Sequence, residues 1–113
     1  MSLRIEWTRI ALQSLSDVFD YTFEVFGEQQ LEKMRTQIHE TARIIATFPQ
    51  AGKTEALLTE ALGSEYRSMV VIKDIKLIYT ITADAVFIEY VKNNRQDDST
   101  IITRMNPRNL NGT

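Results

Sequence analysis

The chain contains no cysteine and a single histidine, and these absences exclude whole classes of chemistry. Without cysteine there are no disulfide bonds and no thiolate metal ligands. One histidine cannot supply the paired imidazoles of the usual zinc motifs. The composition fits a reducing compartment, and it predicts a cytoplasmic protein that uses no metal and no cofactor.

Long apolar runs and a positive charge excess are also missing. No run approaches the ~20 apolar residues that are needed to cross a bilayer. The four glycines, at positions 27, 52, 63 and 112, form no phosphate-binding loop. Lysine and arginine total 13 against 15 acidic residues, a net charge of −2, whereas proteins that bind phosphate backbones usually carry a positive excess. We therefore expect no membrane association and no direct nucleic-acid binding by the chain alone.

Two amphipathic helices are predicted after a short strand at residues 3–7. Thr8 is a suitable N-cap for the first helix, and Gly27 is placed to end it. The second helix begins at Glu28 and stops at Pro49. Each carries an apolar stripe at helical spacing, which predicts burial in a core. The stripes are Ala11, Leu12, Leu15, Val18, Phe19, Thr22, Phe23 and Phe26 in the first helix, and Leu31, Met34, Ile38, Ala42, Ile44, Ile45 and Phe48 in the second.

Three more strands are predicted at residues 66–72, 75–81 and 85–91, with turns at 73–74 and 82–84. The order β-α-α-β-β-β predicts an α+β fold in which a helical hairpin covers one face of a mainly antiparallel sheet. We expect the opposite face to stay open. Residues 1–98 form the predicted single domain, with a connector at 49–63 in which 55–62 could form a turn or two of helix. Residues 99–113 are a predicted tail, frayed or loosely docked.

Cationic side chains cluster near the ends of the predicted strands. They are Arg67, Lys73, Lys76, Lys92 and Arg95. No other cluster in the sequence suits an acidic macromolecule. We expect Arg67, Lys76 and Lys92 to line the rim of the open sheet face and to attract an acidic segment of a partner protein.

Several short motifs resemble, in order and spacing, the RelE/ParE superfamily of bacterial type II toxins, also described as plasmid stabilisation proteins. They are Trp7 with Ala11, Leu15 and Tyr21, then Phe48-Pro49 before Gly52, Tyr66-Arg67 before Met69-Val70-Val71, Lys76-Leu77-Ile78-Tyr79, and the run from Val91 to Asp97. The resemblance covers residues 3–98. It implies a growth-arresting toxin that a cognate antitoxin neutralises by wrapping a helix or an extended tail around it.

The resemblance leaves the cellular target open. A ParE-like toxin inhibits DNA gyrase by protein contact, and this hypothesis is favoured here. A RelE-like toxin cleaves messenger RNA on the ribosome, and Arg67 and Arg95 would then act as electrostatic catalytic groups. A degenerate toxin that only binds its antitoxin, for autoregulation, is the third alternative.

The residues needed for acid–base catalysis form no complete set, so enzymatic activity stays open. Asn93 stands where many nucleolytic relatives have a histidine. The only histidine, His39, is predicted to be a solvated helix residue. Tyr79 and Tyr90 are interpreted as packing residues of strands.

Overall fold

The structure, a computed structural model, describes residues 2–106, in which four α-helices accompany a sheet of five strands. The elements are β1 (Arg4–Trp7), α1 (Arg9–Phe26), α2 (Glu28–Thr47), β2 (Lys53–Thr54), α3 (Ala56–Leu62), β3 (Arg67–Ile72), β4 (Ile75–Ile81), β5 (Ala85–Asn93) and α4 (Asp98–Met105). A single 3₁₀ turn, Pro49–Ala51, follows α2. The predicted α+β class and the order of the predicted elements are confirmed. The strand β2 and the helix α4 were not predicted.

The sheet is mainly antiparallel, as predicted. Its strand order is β1-β5-β4-β3-β2. Only β1 pairs in parallel with its neighbour β5, while the other three pairings are antiparallel. After β1 the chain crosses the sheet through α1 and α2 and reaches β2 at the opposite edge. The later strands then return one by one, so that β5 lies beside β1.

The helices α1 and α2 form the helical hairpin that covers one face of the sheet. The Thr8 side chain accepts a hydrogen bond from the Ala11 amide at 3.0 Å and so caps α1. Gly27 joins the helices with a φ of 88°, a value that favours glycine. The buried residues of this layer are Ala11, Val18, Met34, Ile38, Ala42 and Ile45 from the helices, and Leu77, Tyr79, Ile88 and Val91 from the sheet.

The opposite face of the sheet is covered by α3 and α4, so the prediction of an open face was wrong. Ile78 points to this side because it alternates with Leu77 and Tyr79 along β4. Tyr90 pairs with Ile78 and shares its face, because an irregularity in the β4–β5 register separates Tyr90 from Ile88. They pack against Leu58 of α3 and against Ile101 and Met105 of α4. The sheet is therefore apolar on both faces, and each face requires a cover.

The expectation of a frayed or loosely docked segment after residue 98 was also wrong for the described part. The Asp97 side chain caps α4 by accepting a hydrogen bond from the Thr100 amide at 2.9 Å, and Ile101 is fully buried. Residues 107–113 of that segment lie outside the described residues. The division into a domain of 1–98 and a tail of 99–113 remains a prediction.

A buried ionic cluster ties the start of α3 to the sheet. The Glu55 carboxylate accepts a hydrogen bond from the Ser68 hydroxyl and another from the Lys76 ammonium at 2.7 Å. Burial alone would raise the pKa of Glu55, but the hydrogen bonds from Lys76 and Ser68 outweigh it and hold the pKa below its usual value.

The turn before β2 is held by the side chain of Tyr79. The Tyr79 hydroxyl donates to the Pro49 carbonyl at 2.7 Å and accepts from the Gly52 amide at 3.0 Å. A Cβ added at Gly52 would overlap that hydroxyl and would lie 2.8 Å from the Ser68 carbonyl oxygen. This close approach requires glycine although the backbone of Gly52 is extended, with φ −70° and ψ 153°.

We expect Gly52→Ala to lower the free energy of unfolding by about 2–3 kcal/mol, because the methyl group displaces the Tyr79 hydroxyl from two hydrogen bonds. Urea denaturation followed by circular dichroism measures the change. Repeating Gly52→Ala in a Tyr79→Phe background is the control, since the overlapping hydroxyl is then gone. The cost should be smaller there, although the close contact with the Ser68 carbonyl oxygen remains. An equal cost in both backgrounds would contradict the role assigned to the Tyr79 hydroxyl.

We expect Glu55→Gln to destabilise the fold by about 2 kcal/mol at pH 7, because Lys76 loses its buried partner. A lowered pKa in the folded state means that Glu55 stabilises the fold above its unfolded pKa, near 4.5. That contribution is lost as the pH falls through the still lower folded pKa. The difference between wild type and variant should therefore shrink below about pH 4.5 in urea titrations. The exposed Glu60→Gln on α3 is the matched control, and a pH-independent difference would contradict the assignment.

Candidate partner-binding site

Arg67 lies on the hairpin side of the sheet and is used inside the fold. It pairs in register with Tyr79, and its Nη1 donates to the carbonyls of Gln50 at 3.2 Å and Gly52 at 2.8 Å. Its side chain is 17% exposed, with Nη2 3.7 Å from a Glu65 carboxylate oxygen. The predicted position of Arg67 on the rim of the opposite face was therefore wrong. Its guanidinium is occupied mainly by the backbone of the 49–52 turn.

Lys76 and Lys92 face the α3 and α4 side, as expected, but each is paired with a carboxylate. They are direct neighbours across β4 and β5. Lys76 lies 2.7 Å from Glu55, and Lys92 lies 2.9 Å from Asp98. Their side chains are only 20% and 14% exposed. These two lysines therefore neutralise a buried and a partly buried carboxylate, and they do not form the rim of an open surface.

Lys73 and Arg95 lie together at the end of the sheet where the β3–β4 turn meets the end of β5. The Asn94 amide donates to the Asp74 carbonyl at 2.9 Å, and its side chain donates to the Lys73 carbonyl at 3.4 Å. Arg95 follows directly, and its guanidinium carbon lies 3.8 Å from the centroid of the Tyr21 ring on α1. Stacking of this kind attracts the cation to the ring and leaves its N–H groups available at the ring edge.

Arg67 and Arg95 lie at opposite ends of the strands. Arg67 pairs with Tyr79, whereas Asn93, two residues before Arg95, pairs with Ile75. The span from Ile75 to Tyr79 along β4 is about 13 Å at the usual rise per residue. The two arginines therefore do not converge on one phosphate, contrary to the arrangement expected for an endonuclease.

A largely apolar cavity of about 750 Å³ opens beside Arg95, between the hairpin and this end of the sheet. We call it the Tyr21 pocket. Its apolar and aromatic lining residues include Val18, Tyr21, Phe26, Met34 and Ile75, and its charged lining residues are Lys33, Asp74 and Arg95. Tyr21 and Phe26 meet edge to face with ring centroids 6.3 Å apart. Phe26 is 62% exposed. Four other residues of the predicted stripes are also exposed: Leu12, Phe23, Ile44 and Phe48. The prediction that these five residues belong to the core was therefore wrong.

The Tyr21 pocket could not be predicted from the sequence, although part of its signal is visible there. Phe26 is the last residue of α1, directly before Gly27. Tyr21 was recognised only as part of a family motif. Its contact with Arg95 joins residues that are far apart in sequence, and periodicity does not report such a contact.

Several other partly or fully buried carboxyl and hydroxyl groups lie elsewhere in the fold. Burial raises the pKa of Glu89, and a hydrogen bond from the Thr80 hydroxyl at 2.8 Å offsets part of the shift. Burial, followed by the charge of Glu89, raises the pKa of the Tyr66 hydroxyl. The Tyr90 hydroxyl is fully buried and accepts hydrogen bonds from Gln96 and Arg104. None of these residues lines the Tyr21 pocket.

His39 and Tyr79 lie where the sequence predicted them. His39 is exposed on α2, as predicted, and Tyr79 is fully buried, as predicted. Within residues 2–106, no group of three or more acidic or histidine side chains is arranged to hold a metal ion. No helix in that range is both long and apolar enough to span a bilayer.

Similarities to known proteins indicate the family and the fold of this chain. A family model described as "ParE toxin of type II toxin-antitoxin system, parDE" matches residues 5–98. A comparison with curated proteins found no match. A solved structure titled "Chromosomal ParDE TA system from P. aeruginosa" is similar in fold, with a TM-score of 0.65 and 16% sequence identity over 81% of this chain and 96% of that one. Because the family model spans most of its length, this chain belongs to the ParE toxin family of type II toxin–antitoxin systems.

Proposed function

We propose that this chain is a cytoplasmic bacterial toxin that arrests growth through protein contact, with DNA gyrase as its target, and that a cognate antitoxin neutralises it at the Tyr21 pocket. The family assignment supports a toxin. The ParDE title of the similar structure names a toxin–antitoxin system and supports an antitoxin as partner. Plasmid stabilisation is the cellular role that this proposal implies.

The composition of the Tyr21 pocket is the observation that carries the proposal. Its rim bears Tyr21 and Phe26, 40% and 62% exposed, and aromatic residues of this kind are typical anchors of protein interfaces. Apolar side chains on one face of a partner helix would fill such a pocket. Arg95, at the same rim, would receive a carboxylate of that helix.

The distribution of cations supports a protein target over the ribosome. Lys76 is paired with a buried carboxylate, Lys92 is paired with a partly buried one, and Arg67 is bound to backbone carbonyls. Lys73 and Arg95 are the members of the predicted cluster that remain on the surface, and Lys33 lines the Tyr21 pocket with Arg95. Three cations beside Asp74 make a small positive patch, whereas binding to a phosphate backbone draws on many such contacts.

We expect Phe26→Ser to weaken antitoxin binding by at least ~10-fold, because the variant removes an exposed aromatic anchor at the pocket rim. The partner is the small protein expected from the reading frame next to that of this chain, co-expressed and purified with it. Calorimetric titration of the separated components measures the dissociation constant.

Phe48→Ser is the matched control, because Phe48 is equally exposed, at 63%, and does not line the pocket. Circular dichroism verifies that both variants remain folded. Equal losses of affinity in the two variants, or no loss in Phe26→Ser, would place the antitoxin elsewhere.

We expect the purified chain to inhibit supercoiling by DNA gyrase and to leave messenger RNA uncleaved on translating ribosomes. Parallel gel assays with equal amounts of protein measure both activities, and pre-incubation with antitoxin should abolish the inhibition. Cleavage on ribosomes would establish the RelE-like alternative with Arg67 and Arg95 as candidate groups. Neither activity in a chain that still binds antitoxin would establish the degenerate toxin.

A further inference from the structure

A second cavity, of about 560 Å³, lies between α1 and α4. We call it the α1–α4 groove. Its polar lining residues include Gln13, Ser16 and Asp17 of α1 and Arg104 of α4, with Tyr90 of β5 beneath them. The family match ends at residue 98, where α4 begins. The groove is thus formed in part by a helix that the family model does not include.

Arg104 is held in place by a buried hydroxyl. Its Nη1 donates to the Tyr90 hydroxyl oxygen at 3.1 Å, and Gln96 donates to the same oxygen at 2.8 Å. Tyr90 is fully buried and cannot turn away. The Arg104 side chain is nonetheless 50% exposed, so most of its five N–H groups remain directed to the groove and to solvent.

The carboxylate nearest to Arg104 is a weak partner. Asp17 Oδ2 lies 3.8 Å from Arg104 Nη1, and the Asp17 side chain is 70% exposed. Exposed pairs with this geometry contribute ~0–1 kcal/mol. A carboxylate that approached Arg104 through two short hydrogen bonds would therefore displace Asp17 at little cost.

We propose that the α1–α4 groove binds a glutamate or aspartate side chain of an acidic segment in a partner protein. Arg104 receives the carboxylate, and the exposed side chains of Gln13 and Ser16 offer hydrogen bonds to the main chain of the segment. A free small anion is a poor occupant, because one arginine beside Asp17 provides too little attraction without further contacts. This site is separate from the Tyr21 pocket and does not depend on the proposed function.

Titration of the full chain with two capped tripeptides tests the proposal. The probes are acetyl-Ala-Glu-Leu-amide and acetyl-Ala-Gln-Leu-amide, followed by nuclear magnetic resonance of ¹⁵N-labelled protein. The glutamate peptide should shift the amide signals of residues 13–17 and 103–104 and the side-chain Nε–H signal of Arg104. The glutamine peptide should bind at least about fivefold more weakly, because it offers no charge to the guanidinium.

Two substitutions should change the affinity in opposite directions. Arg104→Gln should weaken binding of the glutamate peptide about fivefold or more, and Asp17→Asn should strengthen it severalfold by removing the competing carboxylate. A gain of affinity in Asp17→Asn cannot come from partial unfolding. Arg43→Gln, an exposed arginine on α2 that is paired with Glu40, is the control and should leave binding unchanged.

Three results would overturn the proposal. The first is equal binding of the two peptides, and the second is unchanged binding in Arg104→Gln or weaker binding in Asp17→Asn. The third is an inorganic phosphate titration that shifts the same signals at lower concentration than the glutamate peptide, which would identify a phosphate site instead.

Discussion

The two apolar faces of the central strands are the constraint on which the rest of the structure depends. Leu77 and Tyr79 of β4 face the helical hairpin, while Ile78 faces α3 and α4. Strands buried on both faces require a cover on each side. The chain supplies both covers itself, so partners are left with the ends of the sheet, its edges and the outer surfaces of the helices. The Tyr21 pocket lies at one such end.

The same constraint explains why the cationic cluster of the sequence is not a binding surface. Lys76 and Lys92 share a face with Ile78 and Tyr90, and α3 and α4 cover that face. A charge brought into such a layer must be paired, because an unpaired buried charge is very costly. The segments that form α3 and α4 also provide the paired carboxylates. Glu55, directly before α3, pairs with Lys76, and Asp98, at the start of α4, pairs with Lys92.

Much of the fold could be predicted from local patterns, whereas the site could not. The spacing of apolar residues in α1, α2 and the later strands is a local signal. Thr8 and Gly27 mark helix boundaries that the structure confirms. Ile78 and Tyr90 already indicated an apolar second face, but the sequence does not show that residues 98–105 would cover it. Lys76 and Glu55 are separated by 21 positions, so their pairing depends on how α3 docks. The exposure of Phe26 likewise depends on where the sheet ends beneath α1.

Whether an arginine or lysine can bind a partner protein depends on which group of this chain holds its side chain in place. Lys76 is held by a buried carboxylate that neutralises its charge, so a carboxylate of a partner protein would gain little free energy by binding there. Arg95 is fixed by the face of Tyr21, and Arg104 by the hydroxyl of Tyr90. An aromatic ring or a hydroxyl orients a guanidinium without adding a negative charge, which favours recognition of an incoming carboxylate. The exposed Asp17, 3.8 Å from Arg104, offsets that charge only weakly. In this fold the aromatic side chains of α1 and β5 therefore determine where an acidic partner can bind, even though they carry no charge.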